Sequence, residues 1–205
     1  GDETYDLEGR VVAPGLIDLH THGGWGVDFY TASTEEILSL EKRYAKNGVT
    51  RFLITLHPGP LPEMLAALER AGAACEQSSG AICGIHLEGP FLSKDYRGAL
   101  PEDGVMPFDQ DVFEQLLIAS KGQLRIMTFA PEAMTAGEIN KIQSLGITLS
   151  MGHTSASSEQ TEEAIKAGVL RATHICNAMP LIHHRDCGPV LPLLLDDRVR
   201  VEVIA

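Results

Sequence analysis

The sequence predicts an α/β chain built as a (β/α)8 TIM barrel, with about seven of the eight strands present. Three observations predict it. Short apolar runs rich in Ile, Leu and Val alternate with amphipathic helical stretches, the order that produces a parallel sheet covered on both faces. Glycines close the helical stretches at Asn47-Gly48-Val49, Leu145-Gly146-Ile147 and Ala167-Gly168-Val169, where a left-handed residue turns a helix back into a strand. Metal-compatible side chains stand at the C-terminal ends of several strand runs, the face of a barrel that carries chemistry. An open doubly wound sheet is the structural alternative. No Gly-rich dinucleotide fingerprint follows the first strand, which weighs against it.

Residues 1–14 read as the remnant of a small accessory β domain, with 5–12 as a hairpin strand; residues 15–205 read as the partial barrel. The Pro14-Gly15 turn leads into a first strand over 16–22. Further strands are expected over 50–57, 81–88, 124–130, 147–153, 171–175 and 200–205. Capping boxes at Ser33/Glu36, Thr135/Glu138 and Ser157/Gln160 open three of the helices. Helices near 62–75 and 109–120 complete the alternation, the second with Val112, Phe113, Leu116 and Leu117 on one face. The longest irregular stretches, 89–108 and 177–192, follow candidate ligand strands and are therefore candidate substrate loops.

A chain of 205 residues and 22.1 kDa can bury one sizeable core, yet a complete barrel typically takes about 250 residues. The net charge of −12 excludes nucleic acid as the expected partner, because phosphate-backbone binding needs a basic face. A small anionic substrate stays compatible, since one Arg or a metal outweighs the global charge locally. Cys75, Cys83, Cys176 and Cys187 form no CxxC pair, which points to a reduced, intracellular chain. No secretory or membrane-spanning run is present, so a soluble, cytoplasmic location is expected, with no membrane partner.

The most informative segment is Ile85-His86-Leu87-Glu88-Gly89-Pro90. A carboxylate ending a buried strand must be paired, protonated or bound to a cation, because an uncompensated buried charge is very costly. Two further runs end alike, at Gly152-His153-Thr154 and Thr173-His174-Ile175. Glu88, His153 and His174 therefore form a candidate metal site, and this donor set suits Zn²⁺ or Fe²⁺ with a position left open for water. His20 and His22 end the first strand run and, two residues apart, face the same cavity.

His86 and His57 read as structural, and His183 and His184 as solvated loop residues. Arg185 follows a ligand strand and suits a bidentate contact with an anion, a surface salt bridge being the alternative. Asn177 and Ala178 offer an amide and a backbone N–H near the mouth, where an ordinary turn is the alternative. Gly23-Gly24-Trp25-Gly26 reads as a flexible turn after the histidine pair.

At these residues the chain resembles the N-acetylglucosamine-6-phosphate deacetylases of the amidohydrolase superfamily. The matching segments are 13–26, 84–92, 130–132, 152–157 and 173–180, in order along the chain. The resemblance implies a metal-dependent (β/α)8 deacetylase acting on an amino sugar 6-phosphate. Glu88, His153 and His174 match the principal metal ligands, and His20 with His22 the pair that completes a second metal site in some members. One or two divalent ions, Zn or Fe, are implied. Asn177 and Ala178 match substrate-binding positions, Arg185 resembles an arginine that holds the phosphate, and a homodimer is implied.

Two departures stand out. Leu100 occupies the place of a substrate-contacting His in the loop after the Glu88 strand, which keeps another amidohydrolase activity, on a different amide or N-acyl sugar, in view. The catalytic Asp of the family belongs to an Asp-Gly-x-His segment expected beyond Ala205, so no residue present fills that role. The 205 residues alone are therefore expected to be inactive, or to form a non-catalytic fragment with an open edge.

Overall fold

A computed structural model describes residues 4–204 of the chain. The first strand, β1 (Leu16–Asp18), is followed by a two-stranded ribbon, β2 (Gly23–Gly24) and β3 (Val27–Asp28). Two short helices, α1 (Thr34–Ser39) and α2 (Glu41–Lys46), precede β4 (Val49–Leu56). The alternation then runs α3 (Leu61–Gln77), β5 (Ile82–Glu88), α4 (Gln110–Ala119), β6 (Leu124–Phe129), α5 (Ala136–Ser144), β7 (Thr148–Met151) and α6 (Ser158–Lys166). It ends in β8 (Arg171–Ala172), α7 (Val190–Leu195) and β9 (Arg200–Val201).

Seven strands make one sheet in the order β1-β4-β5-β6-β7-β8-β9, every pairing parallel. Sequential order with all strands parallel is what repeated strand–helix units produce. The sheet curls strongly: the His20 ring, just past β1, lies 3.2 Å from the carboxylate of Glu202, just past β9. The first and last strands thus approach at their C-terminal ends although they do not pair. This is a (β/α) barrel with seven strands in place.

Helix starts follow the sequence signals. Capping boxes form at Ser33, Thr135 and Ser157, and Asp109 caps α4 through the Val112 N–H. The apolar faces of the helices bury Leu68, Phe113, Leu116, Ile139, Ile142 and Ile165 in one cluster with Leu87, Met127 and Leu149 of the sheet. The inner side of the sheet is more polar. The His86 ring donates from Nδ1 to the Leu19 carbonyl at 2.9 Å and meets Thr128 Oγ1 with Nε2 at 2.8 Å. Hydroxyl contacts continue from Thr128 to Thr173 and on to Ser150, each 2.8 Å. Burial lowers the His86 pKa to about 4, and the nearby His20 adds to the shift. His86 is therefore a neutral crosslink under the mouth.

Several strand ends fall earlier than the apolar runs suggest. His153 and His174 adopt φ of +48° and +28°, which takes each out of its ladder and swings it over the mouth. The backbone N–H of His20 donates to Asp18 Oδ1 at 3.1 Å, which ends β1 locally. The turn expected after the histidine pair is an ordered hairpin: Trp25 and Gly26 both have positive φ, as a tight two-residue β-turn between β2 and β3 requires.

No strand forms over residues 4–15; the segment is exposed, with a turn at Glu8-Gly9 whose Glu8 N–H donates to Asp6. Residues 1–3 of the expected accessory remnant, and Ala205 of the last expected strand, lie outside the described residues. The stretch 177–192, expected to be irregular, contains the start of α7.

Candidate metal centre

Three strand ends bring imidazoles to Glu88, which itself ends a fourth. Its carboxylate, only 3% exposed as a residue, meets His174 Nε2 at 3.0 Å, His153 Nε2 at 3.1 Å, His22 Nε2 at 3.1 Å and His20 Nε2 at 3.5 Å. The imidazoles come from the loops after β1, β7 and β8, and the carboxylate from the end of β5. The structure thus brings together the five residues picked as ligands from sequence. They divide into two groups that share Glu88: His20, His22 and Glu88, and Glu88, His153 and His174, each with ligand atoms within 4.8 Å of one another.

The chemistry of this set fits a divalent cation. His153 Nδ1 donates to the Tyr96 carbonyl at 3.0 Å, so the Nε2 of a neutral His153 ring is a lone pair. That lone pair faces Glu88 Oε1, another acceptor, and lies 3.1 Å from His174 Nε2. His20 repeats the pattern, with Nδ1 against Glu202 and Nε2 towards Glu88. Acceptors facing one another in a buried pocket need positive charge between them, from protons or from a metal. Ligands at about 2.0–2.1 Å from a tetrahedral zinc stand about 3.3 Å apart, the spacing found around Glu88. His174 Nδ1 is buried with no hydrogen-bond partner among the described residues.

The charges are perturbed accordingly. Burial opposes ionisation of Glu88, but hydrogen bonds from His153, His174, His20 and His22 outweigh it and hold the carboxyl far below the usual range. Burial likewise opposes protonation of His20, yet Glu202 and Glu88 raise its pKa to about 9. Glu202 is lowered: burial opposes this, and His20, His86 and Arg171 overcome it. Sequence reasoning did not single out Glu202. One Glu in a short strand run carries no local signal, and its imidazole partner lies 182 positions away.

Around the cluster a cavity of about 900 Å³ is lined by Asp18, Gly98, Leu100, Asn177, Ala178 and Glu202 among others. Asn177 donates through its amide to the carbonyls of His174 and Ile175, and the Ala178 carbonyl accepts from Thr154 N–H. Leu100 is buried with Leu92 and Val105. Arg185 is not brought to this cavity: it is exposed, in the loop with His183 and His184. His57 stacks on Tyr30 with ring centroids 4.0 Å apart, away from the cavity lining.

The loop that carries His153 is anchored by Glu132. Its carboxylate accepts from the Thr154 hydroxyl, from the Ser155 N–H at 2.6 Å and from the Ser155 hydroxyl at 2.8 Å. These bonds help hold His153 at its positive φ, a conformation that costs energy unless its surroundings impose it.

Comparison with known proteins places this geometry in context. The model of the amidohydrolase family matches residues 11–190. N-acetylglucosamine-6-phosphate deacetylase of Bos taurus is 39% identical over 205 residues, covering 97% of this chain and 50% of the relative. The Bacillus subtilis deacetylase is 37% identical over 201 residues, covering 95% of this chain and 51% of the relative. A crystal structure of the Mycobacterium smegmatis N-acetyl-D-glucosamine-6-phosphate deacetylase superposes with a TM-score of 0.86 at 34% identity, over 93% of this chain and 50% of that one. A mutant of that protein, solved in complex with N-acetyl-D-glucosamine-6-phosphate, gives a TM-score of 0.84 at 34% identity over the same shares. The chain therefore spans about half the length of the relatives it matches. No helix among the described residues is long and apolar enough to cross a membrane.

Proposed function

The chain belongs to the amidohydrolase family, and from that premise we propose that the protein carrying it hydrolyses the N-acetyl group of N-acetylglucosamine 6-phosphate, giving acetate and the amino sugar phosphate. The observation that carries this reading is the buried carboxylate of Glu88, ringed by four imidazole nitrogens at 3.0–3.5 Å. Support for the substrate comes from the deacetylases that this chain resembles along nearly its whole length.

Glu88, His153 and His174 would hold one divalent cation, zinc or iron, and His20 and His22 with Glu88 a second. Such a cation supplies Lewis-acid polarisation of a carbonyl and a water acidic enough to attack near neutral pH. The chain's residues supply position. Tyr96 and Glu132 fix the His153 loop, Glu88 offers Oε1 to His153, His174 and His20 and Oε2 to His22, and Asn177 and Ala178 form the wall on which a sugar phosphate would lie. Arg185 is assigned to the phosphate, which requires its loop to approach the cavity. The carboxylates lining the cavity are Asp18, Glu88 and Glu202; Asp18 accepts from the His20 N–H, Glu202 pairs with Arg171 and His20, and Glu88 is assigned to the cations. The general base is assigned to the aspartate that the family resemblance implies on an eighth strand, beyond residue 205. A cytoplasmic homodimer completes the proposal.

Acetate release from N-acetylglucosamine 6-phosphate by the zinc-loaded protein tests it. The reading predicts release that chelator abolishes, zinc restores and Glu88→Gln removes. Turnover unchanged by chelator or by Glu88→Gln would overturn it. The buried Leu100 favours a second reading within the same chemistry, a different acyl group on the sugar. A longer N-acyl chain hydrolysed faster than acetyl would select that reading.

A further inference from the structure

We propose that Glu202 is a positioning residue that sets the tautomer of His20, leaving Nε2 of that ring free to bind a cation between His20, His22 and Glu88. The inference rests on the metal reading above and goes beyond it, because it assigns a role to a residue outside the ligand set. Glu202 sits immediately past β9, and its backbone ties the barrel's end together. Its N–H donates to the Ala172 carbonyl at 2.9 Å, and its carbonyl accepts from Ile175 N–H at 2.8 Å. The side chain is held at both oxygens: Oε1 accepts from Arg171 Nη2 at 3.0 Å, and Oε2 faces His20 Nδ1 at 3.2 Å.

The tautomer follows from the donor and acceptor inventory. A carboxylate paired with Arg171 only accepts, so the proton between Glu202 and His20 belongs to Nδ1. In the neutral ring that a cation would bind, the other nitrogen of His20 then carries the lone pair and points at Glu88, 3.5 Å away. Without Glu202, the ring's better arrangement is Nε2–H donating to Glu88, which leaves no lone pair for a metal. A carboxylate on the far nitrogen of a ligating histidine fixes ring orientation and raises ligand basicity, and its loss typically lowers metal affinity by about 10–100-fold. Arg171 keeps Glu202 itself from turning into the centre as a rival ligand. This contact also spans the gap between β1 and β9, two strands that do not pair.

The test strips the full protein with chelator and titrates it with Co²⁺, reading stoichiometry by elemental analysis and affinity by visible absorption. The wild type should bind two ions per chain. Glu202→Ala should weaken one of them by about 10–100-fold and leave the other unchanged, while Glu202→Gln, which keeps an acceptor oxygen, should lie between. The unchanged ion serves as the control for folding. A second measurement needs no variant: nitrogen-15 correlation spectra of the zinc-loaded wild type should show His20 protonated at Nδ1 and ligated at Nε2. Glu202→Ala binding both ions as tightly as wild type, or His20 protonated at Nε2, would overturn the inference. One ion per chain in the wild type would overturn it and leave the proposed function standing; no ion at all would overturn both.

Discussion

Glu88 offers one oxygen to three imidazoles and the other to a fourth, so its removal should act on both histidine groups together. We expect Glu88→Gln to abolish stoichiometric zinc uptake, whereas His22→Asn should remove at most one ion; elemental analysis after gel filtration distinguishes them. A cysteine provides a second residue-level prediction. Burial pushes the Cys75 thiol up to about 12, outweighing the nearby Arg125, while Cys83 and Cys176 are exposed. At pH 8 a thiol reagent should label Cys83 and Cys176 promptly and Cys75 only after unfolding, with peptide mapping as the readout. The candidate ligands were legible at this scale because a buried strand ending in Glu or His has no apolar reason to do so. Arg185 follows a ligand strand in sequence and is assigned to the phosphate by the family resemblance, but sequence order does not say which way a long loop folds. Glu202 was not legible, because its partners Arg171 and His20 come from strands brought together by curling of the sheet.

At the level of elements, the strands and the capped helices follow from local chemistry, and the exceptions have local causes. Helix α5 opens on Thr135, whose hydroxyl accepts the Glu138 N–H while the Glu138 carboxylate takes the Thr135 N–H. Thr135→Ala should cost about 1 kcal/mol, measured as a shift of the urea midpoint at unchanged slope. Helix α7 was not legible: Val190–Leu195 is almost wholly apolar, contains Pro192 and has no side-chain cap, so it shows neither a helical period nor a start signal. The β2–β3 ribbon escaped for a related reason, since Gly23 and Gly24 carry no pattern and the positive φ of Trp25 and Gly26 defines the turn. Gly152 precedes the His153 loop in a packed site. A Cβ there would lie 2.8 Å from Thr128 Cγ2 and 2.9 Å from Thr173 Cβ. Gly152→Ala should therefore destabilise by about 1–3 kcal/mol through overpacking, and by shifting His153 should also weaken zinc binding. Loss of stability with unchanged affinity would show that the loop is positioned from its Glu132 side alone.

For the whole molecule, the decisive property is that a sheet curled enough to bring His20 to Glu202 still leaves the outer edges of β1 and β9 without strand partners among the described residues. Apolar side chains are exposed here: Leu16 and Ile17 in β1 are 66% and 63% exposed, Val201 in β9 is 38%, and Val203 and Ile204 just past it are 71% and 70%. Edges of this kind are templates for pairing with another chain, and an eighth strand is what closes a barrel of this type. The 205-residue polypeptide on its own should therefore bind zinc, since its ligands come from strands already in place. On the proposed reading, in which the base is an aspartate outside these residues, it should release no acetate. It should self-associate as concentration rises, and light scattering behind gel filtration should show the mean mass growing. Leu16→Lys combined with Val201→Lys should return it to monomer, because a charge on each edge strand opposes strand pairing and neither residue lines the cavity. Monomeric behaviour of the unaltered polypeptide at high concentration would mean that the edges are protected by the curl itself. Acetate release by the monomer would mean that one of Asp18, Glu88 and Glu202 serves as base after all.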